Sequence, residues 1–187
     1  MASIRHYRET DKANVQNVCM QTGPGAAREI GPAQTMLLTT YCDYYIEQEP
    51  QNCFVVANDD DEAVGYILCA ENYWRYRLRF RTQYIPRVKE CGVMKQTECR
   101  GSYFLPLFYS KKYPAHLHID ILDDYQRQGL GSRLMDNLTS QLRKKGVAGV
   151  MLVVGAQNEK GRNFYKKYGF KEELVMPFGV VMGLSLN

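Results

Sequence analysis

The chain has 187 residues, of which 45% are hydrophobic and 24% charged, a composition typical of one soluble globular domain. Its 24 Lys and Arg residues against 20 Asp and Glu residues give a net charge of +4, which suits an anionic small ligand but is too weak to predict nucleic-acid binding. Since no apolar run reaches the roughly 18–20 residues that cross a bilayer, and residues 1–12 are polar, we expect neither a membrane span nor a secretory signal.

The cysteines are predicted to be reduced core thiols. They show no CxxC pair and no metal-ligand spacing, and most lie in apolar stretches: Cys19, Cys42, Cys53, Cys69, Cys91 and Cys99. A disulfide or zinc framework is the less favoured alternative. Reduced thiols are typical of the cytoplasm, so the sequence predicts a cytoplasmic protein without a bound metal.

The first fifty residues predict a strand and two helices. Residues 3–8 alternate in polarity as a short strand does. The first helix is expected to begin at a cap on Thr10 or Asp11 and to end at Gly23-Pro24-Gly25. A second helix is expected over residues 31–50, because Pro32 suits a first-turn position.

The next segments predict a hairpin and a basic, aromatic helix. Residues 52–70 read as two buried strands joined by the acidic turn 59–62, which lacks the glycine and the distal Glu of a calcium loop and is interpreted as a solvated loop. Residues 73–88 carry aromatics and arginines at helical spacing, which favours an amphipathic helix over an RNA- or membrane-facing basic stripe. Residues 88–113 are interpreted as an irregular insertion without chemistry.

Residues 115–122 form a predicted strand with strong alternation. One face is expected to carry His116, His118 and Asp120, and the other face apolar side chains. Such a polar face either pairs within itself or serves chemistry, and the pattern alone leaves both open.

The remaining chain alternates helices and strands. In order, these are a helix at 130–145 stopped by Gly146, a strand at 149–155, a helix at 158–169 ending at Gly169, and a strand at 178–186. No internal repeat or linker interrupts the chain, so residues 1–187 are predicted to form a single α/β domain.

A glycine turn separates the strand at 115–122 from the helix that follows. Unpaired N–H groups at a helix start attract anions, and Gly129 and Gly131 let the backbone approach a phosphate closely. Arg127 adds a positive charge and Ser132 a hydroxyl. The turn fits neither a GxGxxG fingerprint nor a P-loop. On these grounds alone, phosphate binding and a simple turn are equally supported.

Two motifs resemble a known family. Residues 126–131, which read Gln-Arg-Gln-Gly-Leu-Gly, match the Gln/Arg-x-x-Gly-x-Gly/Ala pyrophosphate loop of the GCN5-related N-acetyltransferases. Residues 158–170 resemble that family's later Asn-x-x-Ala-x-x-Phe-Tyr-x-x-x-Gly-Phe segment. The segments 4–23, 113–122 and 180–186 look similar to one branch, the bacterial acetyltransferases related to the C-terminal acetyltransferase-like domain of O-GlcNAcase.

Three residues depart from the family's usual pattern. Asp123 stands where Pro is common, Gln126 where Arg is commoner, and Gly161 where Ala is commoner. None of these changes would prevent the loop from binding phosphate.

The resemblance implies an α/β (α+β) fold with a mixed, mostly antiparallel central sheet, a splayed parallel strand pair and helices on both faces. It implies acetyl-CoA, without a metal, in a cleft between the strands at 118–122 and 149–154. Its pyrophosphate would lie on the amides of residues 127–132, its pantetheine beside Ile121, and Asn158 would hold the other side. The cofactor-binding residues implied are Ile121, Leu122, Gln126, Arg127, Gln128, Gly129, Leu130, Gly131, Ser132, Asn158, Gly161 and Phe164.

The implied activity is acetyl transfer to a primary amine by direct attack in a ternary complex. Tyr165 matches the family position that protonates the departing thiolate, although it could instead only pack on the core. His118 is a candidate base because histidine is mostly neutral at pH 7, with Asp120 orienting it. Asp120 itself would need a raised pKa to act as a base, and simple pairing of these side chains is the alternative.

The acceptor is expected to be a small-molecule or peptide amine, bound along segments 41–45 and 70–74. Tyr45, Glu71, Asn72 and His116 are the candidate acceptor-binding residues, with Glu71 pairing a cationic amine, and ordinary packing is the alternative. We expect no nucleic-acid or membrane partner, and the sequence leaves open a homodimer through a sheet edge. The alternative function is a module that binds acyl-CoA without turnover.

Overall fold

The computed structural model describes residues 2–23, 31–102 and 104–187, and within them seven strands form one sheet. The strands lie in the order β1-β2-β3-β4-β5-β7-β6, and every neighbouring pair is antiparallel except β4 and β5. Their bounds are β1 Ser3–His6, β2 Phe54–Ala57, β3 Ala63–Ala70, β4 Ala115–Ile121, β5 Gly149–Gly155, β6 Lys171–Val175 and β7 Gly179–Ser185. The predicted mixed sheet with one parallel pair is confirmed.

The helices connect these strands on both faces of the sheet. Their bounds are α1 Lys12–Thr22, α2 Pro32–Leu38, α3 Tyr44–Gln48, α4 Tyr73–Arg79, α5 Val93–Ser102, α6 Leu105–Tyr109, α7 Leu130–Lys144 and α8 Glu159–Tyr168. A π-helical turn at Thr39–Asp43 joins α2 to α3. A second π-helical turn at Phe80–Tyr84 and a 3-10 turn at Ile85–Cys91 continue α4.

Two cores lie on opposite faces of the sheet because successive strand residues point to opposite sides. Val15 of α1, Tyr45 of α3 and Tyr66 of β3 belong to one core, in which they are fully buried. Leu134 of α7 packs with Ile67 of β3 in the other. The hydrophobic spacing of α7 therefore determines which side of the helix packs on the sheet.

The structure departs from the sequence predictions at two places. Residues 88–113 are mostly helical, through α5 and α6, and are not irregular. The edge strand β6 was not predicted, because its exposed residues alternate weakly. The first helix ends at Thr22, directly before the predicted stop residue Gly23, as expected; Pro24 and Gly25 lie outside the described residues.

The parallel pair is short and opens into a cleft. β4 and β5 are paired only at Ala115–Val150 and His116–Met151, near the start of both strands. Beyond these pairs the two strands part, while β4 stays paired to β3 as far as Ile121. This opening lies directly before the glycine turn that starts α7.

Candidate active site

The glycine turn presents a row of free backbone donors. The N–H groups of residues 127–132 have no hydrogen-bond partner within the described part of the chain, and the first backbone bond of α7 is donated by Arg133 to Gly129. Arg127 and Gly129 both adopt the left-handed conformation, with φ of 60° and 74°. A row of free N–H groups at the positive end of a helix dipole suits a phosphate or pyrophosphate.

The side chains of the turn differ in whether they hydrogen-bond within the protein or remain exposed. The Gln126 amide donates to the Ile121 carbonyl at 2.9 Å and to Asp123 at 2.9 Å, so this side chain ties the turn to the end of β4. Gln128 donates to the Asp124 carbonyl at 3.1 Å, while Arg127 and Ser132 are exposed. The phosphate-binding potential of the turn therefore comes from its backbone and from Arg127.

Two glycines allow close packing beside the cleft. A Cβ on Gly131 would meet the Phe164 ring at 3.3 Å, so Gly131 lets α7 approach α8. A Cβ on Gly161 would lie 2.8 Å from the amide nitrogen of Asn158, whose Oδ1 accepts the Gly161 N–H at 2.9 Å and caps α8. Gly161 thus makes room for the cap, and Asn158 has a structural contact in addition to its predicted place beside the ligand.

Tyr165 offers a free phenol close to a carboxylate. Its hydroxyl makes no hydrogen bond within the described residues, while its ring packs against Phe164 and Phe170. Burial, and secondarily the charge of Asp120, raise the pKa of Tyr165. The phenol therefore stays protonated at neutral pH and keeps an O–H to offer a ligand, although the raised pKa makes complete proton transfer from it less favourable.

Asp120 is a partly buried carboxylate on the same face of β4 as His118. The Tyr66 hydroxyl donates to its Oδ2 at 2.7 Å. Burial raises the pKa of Asp120 to about 6, although the hydrogen bond from Tyr66 opposes this shift. The group is mostly ionised at pH 7 but holds a proton more strongly than an exposed carboxylate.

Tyr45 joins two histidines of β4. Its buried hydroxyl lies 2.9 Å from Nε2 of His116 and 3.0 Å from Nε2 of His118. Burial lowers the pKa of His118 to about 4, and burial together with the charge of His118 lowers the pKa of His116 to about 3. Both rings are therefore neutral at physiological pH.

Hydrogen-bond satisfaction assigns the proton of the His116 ring. Nδ1 of His116 is buried without a partner among the described residues, and an unpaired acceptor costs less there than an unpaired N–H. Nε2 of His116 accordingly donates to the Tyr45 hydroxyl, which also hydrogen-bonds with Tyr76. Whichever of these neighbours receives the Tyr45 proton, the contact at 3.0 Å engages Nε2 of His118.

The structure does not bring Glu71 and Asn72 to the cleft. Glu71 accepts from Lys145 at 2.7 Å and from Arg75 at 2.8 Å. Burial alone would raise the pKa of Glu71, but these hydrogen bonds outweigh burial and lower the pKa to about 2. Asn72 caps α4 by accepting the Arg75 N–H at 3.0 Å. Because their polar atoms are engaged near the start of β4, neither side chain is placed to hold an acceptor amine.

A cavity of about 990 Å³ opens at the place where β4 and β5 part. Tyr45 and His116, two of the candidate acceptor-binding residues, line it together with His118, the candidate base. Sequence reasoning missed Arg100, Phe104 and Phe178, which also line it. For Arg100 and Phe104, the available sequence signal is the cluster of aromatic and basic residues in 88–113, which the sequence analysis interprets as an irregular insertion.

Three further properties of the described chain bear on function. Each of the six cysteines is a free thiol. No described helix combines the length and the apolar character that crossing a bilayer requires. His, Cys, Asp and Glu side chains are not grouped in threes or more as metal ligands anywhere in residues 2–23, 31–102 and 104–187.

The family model described as the acetyltransferase (GNAT) family matches residues 25–170. Ribosomal protein bS18-alanine N-acetyltransferase of Escherichia coli (strain K12) is 41% identical over 58 residues, which cover 31% of this chain and 39% of that protein. The chain thus aligns with only about two fifths of the length of this curated relative.

Solved structures agree with the fold. The crystal structure of SsHAT matches 100% of this chain and 98% of its own, with a TM-score of 0.88 and 27% identity. PaiA N-acetyltransferase from Thermoplasma acidophilum, solved in complex with coenzyme A, matches 99% of both chains with a TM-score of 0.61 and 16% identity. At that identity, the second likeness concerns the fold alone.

Proposed function

Because this chain belongs to the acetyltransferase (GNAT) family, we propose that it is an acetyl-CoA-dependent N-acetyltransferase that acts on a primary amine by direct attack in a ternary complex. The observation that carries the proposal is the row of six N–H groups at residues 127–132 that have no hydrogen-bond partner among the described residues, beside the opening between β4 and β5. Its six free thiols favour a cytoplasmic location.

The pyrophosphate of the co-substrate fits the start of α7. A Cβ at Gly129 would meet no atom within 4 Å, so the space over this residue is open to a ligand. The N–H groups of residues 127–132 would bind the phosphate oxygens, and Arg127 would add charge. Ile121 and Leu122 end the strand along which the pantetheine would lie, and Asn158 and Phe164 of the α8 region would face it from the other side.

Acetyl-CoA supplies a thioester carbonyl that a neutral amine can attack, with cleavage of the carbon–sulfur bond. We assign proton removal from the amine to Asp120 through a bridging water, because its carboxylate has a raised pKa and remains ionised at pH 7 but does not line the cavity that would receive the amine. His118 is the weaker candidate, since its Nε2 is engaged by the Tyr45 hydroxyl and burial lowers its pKa to about 4. Tyr165 would donate a proton to the leaving thiolate.

The first test is a calorimetric titration of the purified protein with acetyl-CoA and with CoA. The Gly129→Glu variant places a side chain and a negative charge among the free N–H groups, so we expect it to abolish binding. Gly146→Glu is a matched control, because Gly146 follows the other end of α7 with a similar φ of +70° and open space around it. That variant carries a comparable backbone strain and should bind as the wild type does.

Thiol release in the presence of amines then tests turnover. Binding by the wild type that Gly129→Glu abolishes and Gly146→Glu retains, together with amine-dependent thiol release, supports the enzyme. Binding without release from any amine would favour a non-catalytic acyl-CoA module. No binding by the wild type, or equal binding by both variants, would contradict the proposed site.

A further inference from the structure

The cavity between β4 and β5 has aromatic walls at depth and at its mouth. Tyr45 and Tyr76 lie at its buried end, with His116 and His118 beside them. Tyr76 packs edge-on against His116, with ring centroids 4.3 Å apart, so the inner wall is a rigid set of rings. A pocket of this kind accommodates a flat apolar group better than a flexible polar one.

Large apolar side chains also remain exposed around the mouth. Tyr41 is 38% exposed, Phe104 51%, Val153 40% and Phe178 73%, and all four line the same cavity. They come from four different parts of the fold: the turn before α3, the segment between α5 and α6, strand β5, and the loop before β7. Their convergence on one opening is typical of a ligand-binding surface, since scattered exposed apolar residues would not meet.

The cavity carries positive charge, whereas a site for a polycation would be expected to carry negative charge. Among the described residues that line it, none is Asp or Glu. Arg100 of α5 lines it and is exposed, and makes no salt bridge or hydrogen bond with any described residue. Glu71, the carboxylate expected to receive a cationic acceptor, is instead paired with Lys145 and Arg75. The cavity therefore offers a permanent positive charge to an incoming ligand.

We propose that the acceptor is a primary amine joined to an aromatic ring by a short alkyl chain, with an anionic group at the opposite end of the molecule from the amine. The amine nitrogen points inward toward the opening between β4 and β5, the ring lies among Tyr41, Phe104 and Phe178, and the anion pairs with Arg100. A polyamine, a lysine side chain or an unmodified amino sugar lacks both the aromatic ring and the anionic group. This inference rests on the proposed acetyltransferase function and deepens it.

The test compares three amines as acceptors, with the rate of CoA thiol release as the readout. Para-carboxyphenethylamine carries the amine, the ring and the anion, phenethylamine lacks the anion, and spermidine lacks both ring and anion. We expect kcat/KM to fall in that order, with about a tenfold difference between the first two, because only the first can form a charge-assisted pair with Arg100.

Two variants show whether Arg100 produces the difference. Arg100→Gln should bring para-carboxyphenethylamine down to the level of phenethylamine and leave phenethylamine unchanged. Arg81→Gln is the matched control, because Arg81 is also exposed and unpaired within the described chain but does not line the cavity. It should preserve the preference for the carboxylated amine.

The outcomes separate this inference from the function on which it rests. Faster turnover of spermidine than of either aromatic amine would overturn the inference and leave the acetyltransferase standing. If no amine releases thiol, the function fails, and calorimetric titration of para-carboxyphenethylamine into the CoA-saturated protein then decides the inference. Binding that Arg100→Gln weakens about tenfold would support the cavity assignment, and absence of binding would overturn it.

Discussion

Asp120 and His118 lie two residues apart on one face of β4, yet burial shifts their pKa values in opposite directions. Burial disfavours the charged form of each group, so it raises the pKa of Asp120 to about 6 and lowers that of His118 to about 4. Tyr45 further engages the Nε2 atom of His118. The sequence favoured His118 as the base, whereas its surroundings in the folded chain favour Asp120.

We predict a break near pH 6 in the pH dependence of acetyl transfer. The logarithm of kcat/KM should rise more steeply below about pH 6 than above it, because Asp120 must lose its proton while the free fraction of the amine also grows. Asp120→Asn should remove the break and lower kcat/KM by about 10²–10⁴. The measurement is the initial rate of thiol release across this pH range.

Tyr165→Phe serves as the comparison for this prediction. It removes the proposed proton donor without altering the carboxylate, so the rate should fall while the break near pH 6 persists. A break that survives in Asp120→Asn would assign the titration to another group and contradict the role of Asp120.

At the scale of the elements, α7 is held at its two ends by different interactions. Its start packs through Gly131 against Phe164 of α8. Its end is linked to the segments beside β2 and β3, because Lys145 donates to Glu71, directly after β3, at 2.7 Å and to Asn52, just before β2, at 2.6 Å. Glu71 is therefore a structural residue that helps to orient the helix whose start forms the glycine turn.

We predict that Glu71→Gln lowers the free energy of unfolding by about 1 kcal/mol at pH 7 and leaves the KM for the acceptor unchanged. Because the folded-state pKa of Glu71 is lowered from 4.5 to about 2, its contribution is present above pH 4.5 and is lost as the pH falls toward 2. Urea unfolding at several pH values measures this change.

Asp60→Asn is a suitable control, since Asp60 lies exposed in the acidic turn between β2 and β3. It should leave the free energy of unfolding nearly unchanged. A large increase in acceptor KM for Glu71→Gln, with unchanged stability, would restore the role in substrate binding that the sequence suggested.

Across the whole molecule, the trio of Tyr45, His116 and His118 connects the helical layer to the middle of the sheet. Tyr45 comes from α3 and both histidines from β4, and their hydrogen bonds lie between the sheet and the helices that cover it. Both histidines must be neutral in the folded state, whereas in the unfolded chain they take up protons near pH 6.5.

We therefore predict that stability falls as the pH decreases below 6.5. A lowered folded-state pKa makes the unfolded state bind more protons in this range, so His118 alone should reduce the free energy of unfolding by about 2 kcal/mol between pH 7.5 and pH 5. Asp120 acts in the opposite direction, because its raised pKa lets the folded state take up a proton as the pH falls toward 4. Denaturant unfolding at the two pH values measures the sum.

His118→Gln removes one titrating group and keeps a polar partner for Tyr45. The loss of stability between pH 7.5 and pH 5 should be smaller in this variant by about 2 kcal/mol, whatever its stability at pH 7.5. An equal pH dependence in both proteins would mean that His118 is not held neutral in the folded state.

Local patterns of the sequence determined most of the elements and the glycine turn. The alternation of 115–122 placed His116, His118 and Asp120 on one face of β4, because side-chain direction in a strand follows from its period of two. Gly129 and Gly146 marked the two ends of α7, because both positions need a positive φ that glycine adopts readily. These features depend only on neighbours in the chain, so they could be read before any fold was known.

Only the tertiary structure decided which side chains share the cavity and how each of them titrates. Arg100 and Phe104 come from a segment with no clear pattern, and only the folded chain brings them to the same cavity as His118. Glu71 and Asp120 have the same chemistry in sequence, but Lys145 and Arg75 neutralise one while burial raises the pKa of the other. Such differences arise from distance, burial and partner charges between residues far apart in the chain, which local sequence does not encode.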